Sequence, residues 1–136
     1  MVLLYDFQFR VGGYTQALML SGLVTRMAHA LQLNLECTPD AKAGPSVLWR
    51  ETRRRLMWAC YVLDAWTGSG VDQLTLLREQ DIEIQLPCDE PDFLLQRPCT
   101  TSKLEARYAS LDVSGHHTGL MACYIHLVAI WKRIVR

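Results

Sequence analysis

The sequence predicts an all-α protein, an irregular bundle of three long helices and some short ones, with one extended segment bounded by proline. Apolar residues recur at three- and four-residue spacing in residues 18–33, 46–66 and 118–136, the pattern of helices with a buried face. Two-residue alternation is confined to residues 82–86. Half of the 136 residues are hydrophobic, which is enough apolar surface for one buried core.

The first predicted long helix covers residues 18–33. The Gly12–Gly13 pair breaks the chain before it, and Asn34 is a candidate for a left-handed residue that ends it. Residues 39–45 contain two prolines and a glycine and predict a loop. The spacing predicts a buried apolar face of Leu20, Leu23, Val24, Met27 and Leu31, and a mostly polar opposite face of Ser21, Thr25, Arg26 and His29.

Residues 46–66 predict the central helix, with Ser46 as its N-cap. A polar stretch at residues 50–55 is followed by eight consecutive apolar residues, 56–63. Because a helix that is apolar all round must be covered on several sides, we expect this helix to be the centre of the domain. Gly68 and Gly70 end it.

The remaining elements follow Gly70. Residues 82–86 alternate apolar and polar side chains up to Pro87, and we predict an extended segment laid over the helices because the sequence offers no partner strand. A short helix is predicted at residues 103–111 and a last helix from near Thr118. Arg136 falls in mid-pattern without a cap, so we expect a fragment of a larger helical domain that self-associates through its uncovered stripe. The last helix contains Leu120, Ile125, Leu127, Val128, Ile130, Trp131 and Ile134, and the stripe expected to be uncovered consists of Ile130, Trp131, Ile134 and Val135.

The charge balance and the apolar segments exclude several classes of function. Basic and acidic residues number 14 each, so the chain lacks the broad positive field that a phosphate backbone requires, and we expect no direct DNA binding. The amino-terminal residues lack the basic region of a secretory signal. The longest apolar stretch, residues 119–131, is shorter than the ~20 residues that cross a bilayer, so we expect no membrane contact.

Neither the cysteines nor the histidines form a recognisable metal set. Adjacent side chains such as His116 and His117 rarely bind one ion together, and we expect His126 to be a hydrogen-bonded core residue. No cofactor or catalytic residue is therefore expected. The cysteines lack the short separations of zinc knuckles and redox pairs, so we expect reduced, largely structural thiols. They are Cys37, Cys60, Cys88, Cys99 and Cys123.

Arg53, Arg54 and Arg55 form the single basic run. Three consecutive helical residues spread over about 200° of the helix, so they cannot present one flat phosphate-binding face. Glu51 lies four residues before Arg55, the favourable orientation for a helical ion pair. We predict a solvated, salt-bridged start of the helix, with a contact to a partner protein as the alternative.

Asp64 follows the apolar run, where a charge needs hydrogen-bond donors or a cation. We predict a carboxylate satisfied by neighbouring donors, because a catalytic role would need a nearby acid, base or nucleophile that the sequence does not identify. The four tryptophans are predicted to pack in the core, with a ligand-pocket wall as the alternative. They are Trp49, Trp58, Trp66 and Trp131.

Residues 51–64, ETRRRLMWACYVLD, resemble the central signature of the fungal-specific transcription factor domain, the middle homology region of fungal zinc-cluster regulators. Residues 81–87, DIEIQLP, are similar to the family's acidic-Ile-x-aliphatic-x-Leu-Pro element, and residues 26–34 to its Ala-x-x-Leu-Gly-Leu helix. The family's Gly-Arg-Pro element is replaced here by Ser69-Gly70-Val71. Signature positions are matched by Arg53, Arg54, Arg55, Trp58, Leu63, Asp64, Asp81, Ile82, Leu86 and Pro87.

The resemblance implies a nuclear, non-enzymatic segment that takes part in regulating transcription, with the signature residues in structural roles. It implies that residues 1–136 are part of the regulatory domain, and that the zinc cluster that binds DNA lies outside them. Zinc and DNA contacts are therefore assigned to no residue of this chain. The implied partners are the rest of the regulator, coregulator proteins or a small effector. A helical module that senses such an effector is the alternative function.

Overall fold

A computed structural model describes residues 1–37, 46–68, 74–104 and 119–135. The helices in these ranges are α1 (Val2–Arg10), α2 (Tyr14–Ala30), α3 (Val47–Gly68), α4 (Glu90–Leu94) and α5 (Leu120–Ile134), and a 3-10 turn lies at Glu79–Asp81. The described ranges contain no strand, so the all-α prediction is confirmed. No helix among them is both long and apolar enough to cross a membrane.

Helix α1 is missing from the sequence-based prediction. Gly12 takes a φ of +84°, and the Gly13 N–H donates to the Gln8 carbonyl oxygen over 2.8 Å, which ends α1 in a left-handed turn. The glycine pair is therefore a joint between two helices, and α2 begins at Tyr14 instead of near residue 18. The hydroxyl groups of Tyr5 and Thr67 lie 2.6 Å apart and link α1 to α3.

The buried face of α2 differs from the predicted one. Leu23, Met27 and Leu31 are 47%, 44% and 59% exposed, and the buried residues are Ala17, Ser21, Val24, Thr25 and Ala28. Small side chains allow two helix backbones to approach closely, which favours this face over the face with larger apolar residues. The Ser21 hydroxyl donates to the Leu18 carbonyl oxygen over 2.8 Å, so its polar atom is satisfied inside the helix.

The end of α2 also differs from the prediction, because the left-handed residue is Gln32, with a φ of +51°, and not Asn34. The Leu33 N–H reaches back to the Ala28 carbonyl oxygen over 2.9 Å and completes the turn. The Asn34 carbonyl oxygen instead accepts hydrogen bonds from the N–H groups of Glu83 and Ile84, at 2.8 and 2.9 Å. The chain after α2 is thereby attached to the segment that follows the 3-10 turn.

Helix α3 lies at the centre of the fold, as predicted. The Ser46 hydroxyl accepts the Trp49 N–H over 3.2 Å, as expected of the predicted N-cap. Coverage of α3 is incomplete, since Leu56 and Trp66 are 41% and 47% exposed. Its fully buried side chains include Met57, Trp58, Tyr61 and Ala65, and the face of α5 towards the core consists of Ala122, Ile125, Val128, Ala129 and Lys132.

Residues 82–88, here called the extended segment, form no strand and lie against the core. Ile82, Ile84 and Leu86 are buried, so the predicted alternation is confirmed. The Leu86 N–H donates to the Ser102 carbonyl oxygen over 3.0 Å. Lys103 and Leu104 are not helical, and the rest of the helix predicted at 103–111 lies outside the described residues, as do 39–45, 69–71, His116 and His117.

Candidate functional site

Three consecutive arginines of α3, Arg53, Arg54 and Arg55, donate hydrogen bonds to other parts of the protein. Arg54 donates from Nη2 to Glu36 Oε1 (2.9 Å) and Gln85 Oε1 (2.5 Å), and from Nη1 to the Cys99 carbonyl oxygen (3.4 Å). Its side chain is 6% exposed, so the prediction of a solvated arginine is wrong at this position. The cause is the helical repeat, because Arg54 lies four residues before Trp58 on the face that the extended segment covers.

Glu51 is buried beside Arg54 at the start of the same helix. Its Oε1 accepts hydrogen bonds from Arg55 Nε over 3.1 Å and from the Cys88 N–H over 3.0 Å. Arg55 donates further to Glu90 Oε2 over 2.8 Å, and its guanidinium lies 3.9 Å from the centre of the Phe93 ring. The predicted Glu51–Arg55 ion pair is confirmed, and it joins α3 to α4 as well as stabilising the helix start.

Arg53 is half-buried and contacts a third element. Its Nη2 donates to the Gln32 carbonyl oxygen over 2.6 Å, at the end of α2 where carbonyl groups lack helical partners. The guanidinium also lies 4.9 Å from the centre of the Trp49 ring. The three arginines therefore point to three different neighbours, and the run presents no single phosphate-binding face.

Trp58 completes the contact between α3 and the extended segment, in which Pro87 is buried. The Trp58 indole N–H donates to the Gln85 carbonyl oxygen over 2.8 Å, and its ring packs edge-on against Tyr61 with centroids 5.5 Å apart. The Tyr61 hydroxyl donates to Glu79 Oε1 over 2.8 Å. We use the term signature network for the side chains that link α3 to its neighbours here: Glu36, Glu51, Arg54, Arg55, Trp58 and Gln85.

Asp64 anchors the other end of α3. Its carboxylate is buried and accepts the N–H groups of Leu76 (3.0 Å) and Leu77 (2.8 Å), which are the expected neighbouring donors. Lys132 of α5 donates from Nζ to the Leu77 carbonyl oxygen over 3.0 Å and acts as a nearby positive charge. Burial raises the pKa of Asp64 above its ordinary value of 3.8, while the two backbone hydrogen bonds and Lys132 act in the opposite direction.

We predict that Asp64→Asn lowers the free energy of unfolding by about 1–3 kcal/mol at neutral pH, because the amide nitrogen replaces an oxygen that accepts a backbone N–H. The pKa shift adds a pH dependence. A raised native pKa means that the Asp64 contribution is largest below 3.8 and decreases as the pH rises through the native pKa. Urea unfolding should therefore show a larger difference between wild type and variant near pH 4 than near pH 7. A difference that grows with pH would contradict the raised pKa.

Two further signature positions, Leu63 and Asp81, are less buried. The Leu63 side chain is half-buried and that of Asp81 is exposed, while the Asp81 carbonyl oxygen accepts Asn34 Nδ2 over 2.8 Å. Sequence reasoning missed Glu36, Gln85 and Lys132. The spacing of Ile125, Val128 and Lys132 on one helical face could have revealed the buried lysine. No local pattern marks Glu36 or Gln85, because their partner is far away in the sequence.

One cluster in the described part of the chain contains metal-ligating groups. The sulfur atoms of Cys88 and Cys99 and a carboxylate oxygen of Glu51 all lie within 4.8 Å of one another. This set does not fit the six-cysteine zinc cluster of the regulators whose sequence signature the chain resembles. Glu51 is also engaged by positive charge, with Arg54 Nη1 3.6 Å from Oε2 and Arg55 Nε 3.1 Å from Oε1.

A cavity of about 290 Å³ lies between α1, α2 and α3. Its walls contain no tryptophan, so the alternative of a tryptophan-lined pocket does not apply to this cavity. The prediction that the tryptophans pack in the core is confirmed for Trp58 and wrong for Trp49 and Trp66, which are 46% and 47% exposed. Trp58 is a core residue, and Trp66 stacks on Trp131 with ring centroids 5.5 Å apart. The cavity is lined mainly by apolar side chains, among them Val2, Leu3, Val24, Met27, Leu31 and Leu56.

Residues 2–135 match the sequence profile of the Fungal specific transcription factor domain. The chain belongs to this family. The α3 network and the extended segment lie within the matched residues.

Two curated proteins from fungi are similar to the chain. The chain is 36% identical to the Zn(2)-C6 fungal-type transcription factor FTF1c of Fusarium oxysporum f. sp. lycopersici, over 96% of this chain and 15% of the relative. It is also 36% identical to the uncharacterized transcriptional regulatory protein C1327.01c of Schizosaccharomyces pombe, over 87% of this chain and 14% of the relative. The chain thus spans about one seventh of the length of these relatives. No solved structure matches the chain.

Proposed function

We propose that residues 1–136 form a regulatory scaffold of a fungal zinc-cluster transcription factor that acts in the nucleus. The scaffold would influence transcription through contacts with other parts of the regulator or with coregulator proteins, and DNA and zinc would be bound outside this chain. The family assignment and the two relatives, which are described as a transcription factor and a transcriptional regulatory protein, support this role.

The observation that carries the proposal is an exposed apolar stripe on α5, opposite the face that packs on α3. Leu120, Leu127 and Ile134 are 87%, 62% and 77% exposed and follow one another at seven-residue spacing. Seven-residue spacing places side chains along one side of a helix, where a second helix can pack. Such a stripe is the surface expected of a protein contact, and the isolated chain is expected to self-associate through it.

A reporter assay tests this role. Residues 1–136 are fused to a heterologous DNA-binding domain in a fungal cell, and the reporter output is compared with that of the DNA-binding domain alone. We expect a difference, and we expect Leu127→Glu with Ile134→Glu to abolish it because the charges cannot be buried in the contact. The matched control is Leu94→Glu with Leu95→Glu, which charges two exposed leucines at α4 and should leave the output unchanged.

Two results would contradict the proposal. One is a parent fusion with the same output as the DNA-binding domain alone. The other is that the α5 variant and the α4 variant change the reporter output equally while their melting temperatures are the same.

A small apolar effector in the α1–α2–α3 cavity is the second candidate, because the cavity walls are mainly apolar. In that case Leu31→Trp, at the cavity wall, would change the output and the α5 variant would not.

A further inference from the structure

Hydrogen bonds from two arginines of α3 fix the backbones of Cys88 and Cys99. Arg55 Nη2 donates to the Cys88 carbonyl oxygen over 3.5 Å, and Arg54 Nη1 donates to the Cys99 carbonyl oxygen over 3.4 Å. The Cys88 N–H is fixed by Glu51 Oε1 over 3.0 Å. Two neighbouring arginines of α3 therefore anchor the two cysteine backbones, and the two sulfur atoms lie within 4.8 Å of each other.

The two thiols differ in their surroundings. Cys88 is buried, and Cys99 is half-buried at the surface end of the pair. Burial raises the pKa of the Cys88 thiol, and hydrogen bonding to Cys99 and the charge of Glu51 raise it further. Cys99 is the more accessible of the two thiols, so a small disulfide in solution reaches it first. The guanidinium groups that engage Glu51 disfavour a cation at the same place.

We propose that Cys88 and Cys99 are a modification site that forms a reversible intramolecular disulfide by exchange with a low-molecular-weight disulfide such as oxidised glutathione. The Cys99 thiolate attacks one glutathione sulfur, forms a mixed disulfide and releases one glutathione thiolate. Cys88 then gives its proton to solvent, attacks the Cys99 sulfur and releases the second glutathione. Two protein thiols lose two electrons in total, and one glutathione disulfide gains them and becomes two thiols.

The bond would change how the extended segment is held. The chain between the two cysteines contains α4, and its two ends are attached to α3 through the ion-paired arginines. A disulfide would close the loop formed by residues 88–99 and hold it against the signature network. Helix α5 begins beside the same place, since the Gly119 backbone packs on Cys88 and Asp89. Oxidation would therefore rigidify the junction of α3, α4 and the start of α5.

The test is to equilibrate the chain with glutathione buffers of graded redox potential, alkylate the remaining thiols and map the products by peptide mass. We expect a Cys88–Cys99 crosslink within one chain that forms and reverses with the buffer. Cys99→Ala should abolish it, while Cys37→Ser and Cys123→Ser should retain it. Because Cys88 is buried, the melting temperature of a Cys88→Ala variant is measured as well. If Cys88→Ala unfolds, Cys99→Ala still decides the test, because Cys99 is only half-buried.

Several outcomes would overturn the inference. These are a crosslink through Cys37, Cys60 or Cys123, a crosslink between chains, or a reaction that stops at a glutathione adduct on Cys99. Stoichiometric retention of zinc that is lost in both Cys88→Ala and Cys99→Ala would show a metal site in place of a disulfide. The regulatory role can stand or fall independently, because its assay relies on α5 and α4 variants and needs no oxidant.

Discussion

Arg54→Ala is expected to lower the free energy of unfolding by about 3–5 kcal/mol, as when one partner of a buried ion pair is removed. The substitution leaves the Glu36 carboxylate, the Gln85 side-chain oxygen and the Cys99 carbonyl oxygen without their common donor. Glu51 also loses the Arg54 guanidinium that lies 3.6 Å from its Oε2, and keeps only the ion pair of Arg55 with its Oε1. Urea unfolding followed by circular dichroism measures the effect.

Two other arginines serve as controls. Arg53→Ala should cost less, about 1 kcal/mol, because its guanidinium is half-buried and donates to carbonyl oxygens at the end of α2. Arg10→Ala should leave the unfolding midpoint unchanged, because Arg10 forms an exposed pair with Asp6 within α1. An Arg54→Ala midpoint indistinguishable from that of Arg10→Ala would show that the buried network does not contribute to stability.

Trp58→Ala is also expected to destabilise the protein by about 3–5 kcal/mol, because it removes a fully buried aromatic side chain and leaves a cavity. The indole N–H bond to the Gln85 carbonyl oxygen and the edge-on contact with Tyr61 are lost at the same time. A loss of this size approaches the total stability of an ordinary domain, so much of the chain should be unfolded at physiological temperature.

Trp58→Phe is the matched control for Trp58→Ala. It keeps an aromatic ring in the core but removes the N–H donor, and should cost about 1–3 kcal/mol. The measurement is the free energy of unfolding of both variants under the same conditions. Equal effects of the two substitutions would mean that the hydrogen bond to the extended segment dominates, and the packing interpretation would be wrong.

Local periodicity predicted those parts of the fold that depend on neighbouring residues in the sequence. The N-cap at Ser46, the central helix α3 and the alternation of Ile82, Ile84 and Leu86 all follow from such patterns. Helix α1 was missed because the Gly12–Gly13 pair ends one helix and joins the next, which a glycine pair does not reveal by itself. The face of α2 was misassigned because close helix packing favoured small residues over large ones.

The candidate site was predictable in its position but not in its environment. The resemblance singled out Arg53, Arg54, Arg55 and Trp58 of α3, and the helical repeat places Arg54 on the same face as Trp58 and Tyr61. The charge of Arg54 suggested that its side chain is exposed to solvent. The guanidinium of Arg54 can be buried because Glu36 and Gln85 supply a carboxylate and an amide oxygen as hydrogen-bond acceptors. These two residues lie 18 and 31 positions away from Arg54 in the sequence. No pattern within one segment of the sequence contains that information.

If the signature residues of α3 hold the neighbouring segments in place, Arg54 and Glu36 should stabilise the fold as a coupled pair. A double-mutant cycle with Arg54→Met, Glu36→Gln and the double variant measures this coupling directly. The two side chains form paired hydrogen bonds from Nε and Nη2 to the two carboxylate oxygens, so we expect a coupling free energy of about 1–3 kcal/mol. If the stability losses of the two single variants add up to the loss of the double variant within about 0.3 kcal/mol, Arg54 and Glu36 are not coupled. That result would contradict the role of the pair in holding the neighbouring segments and would leave the arginines available for another role.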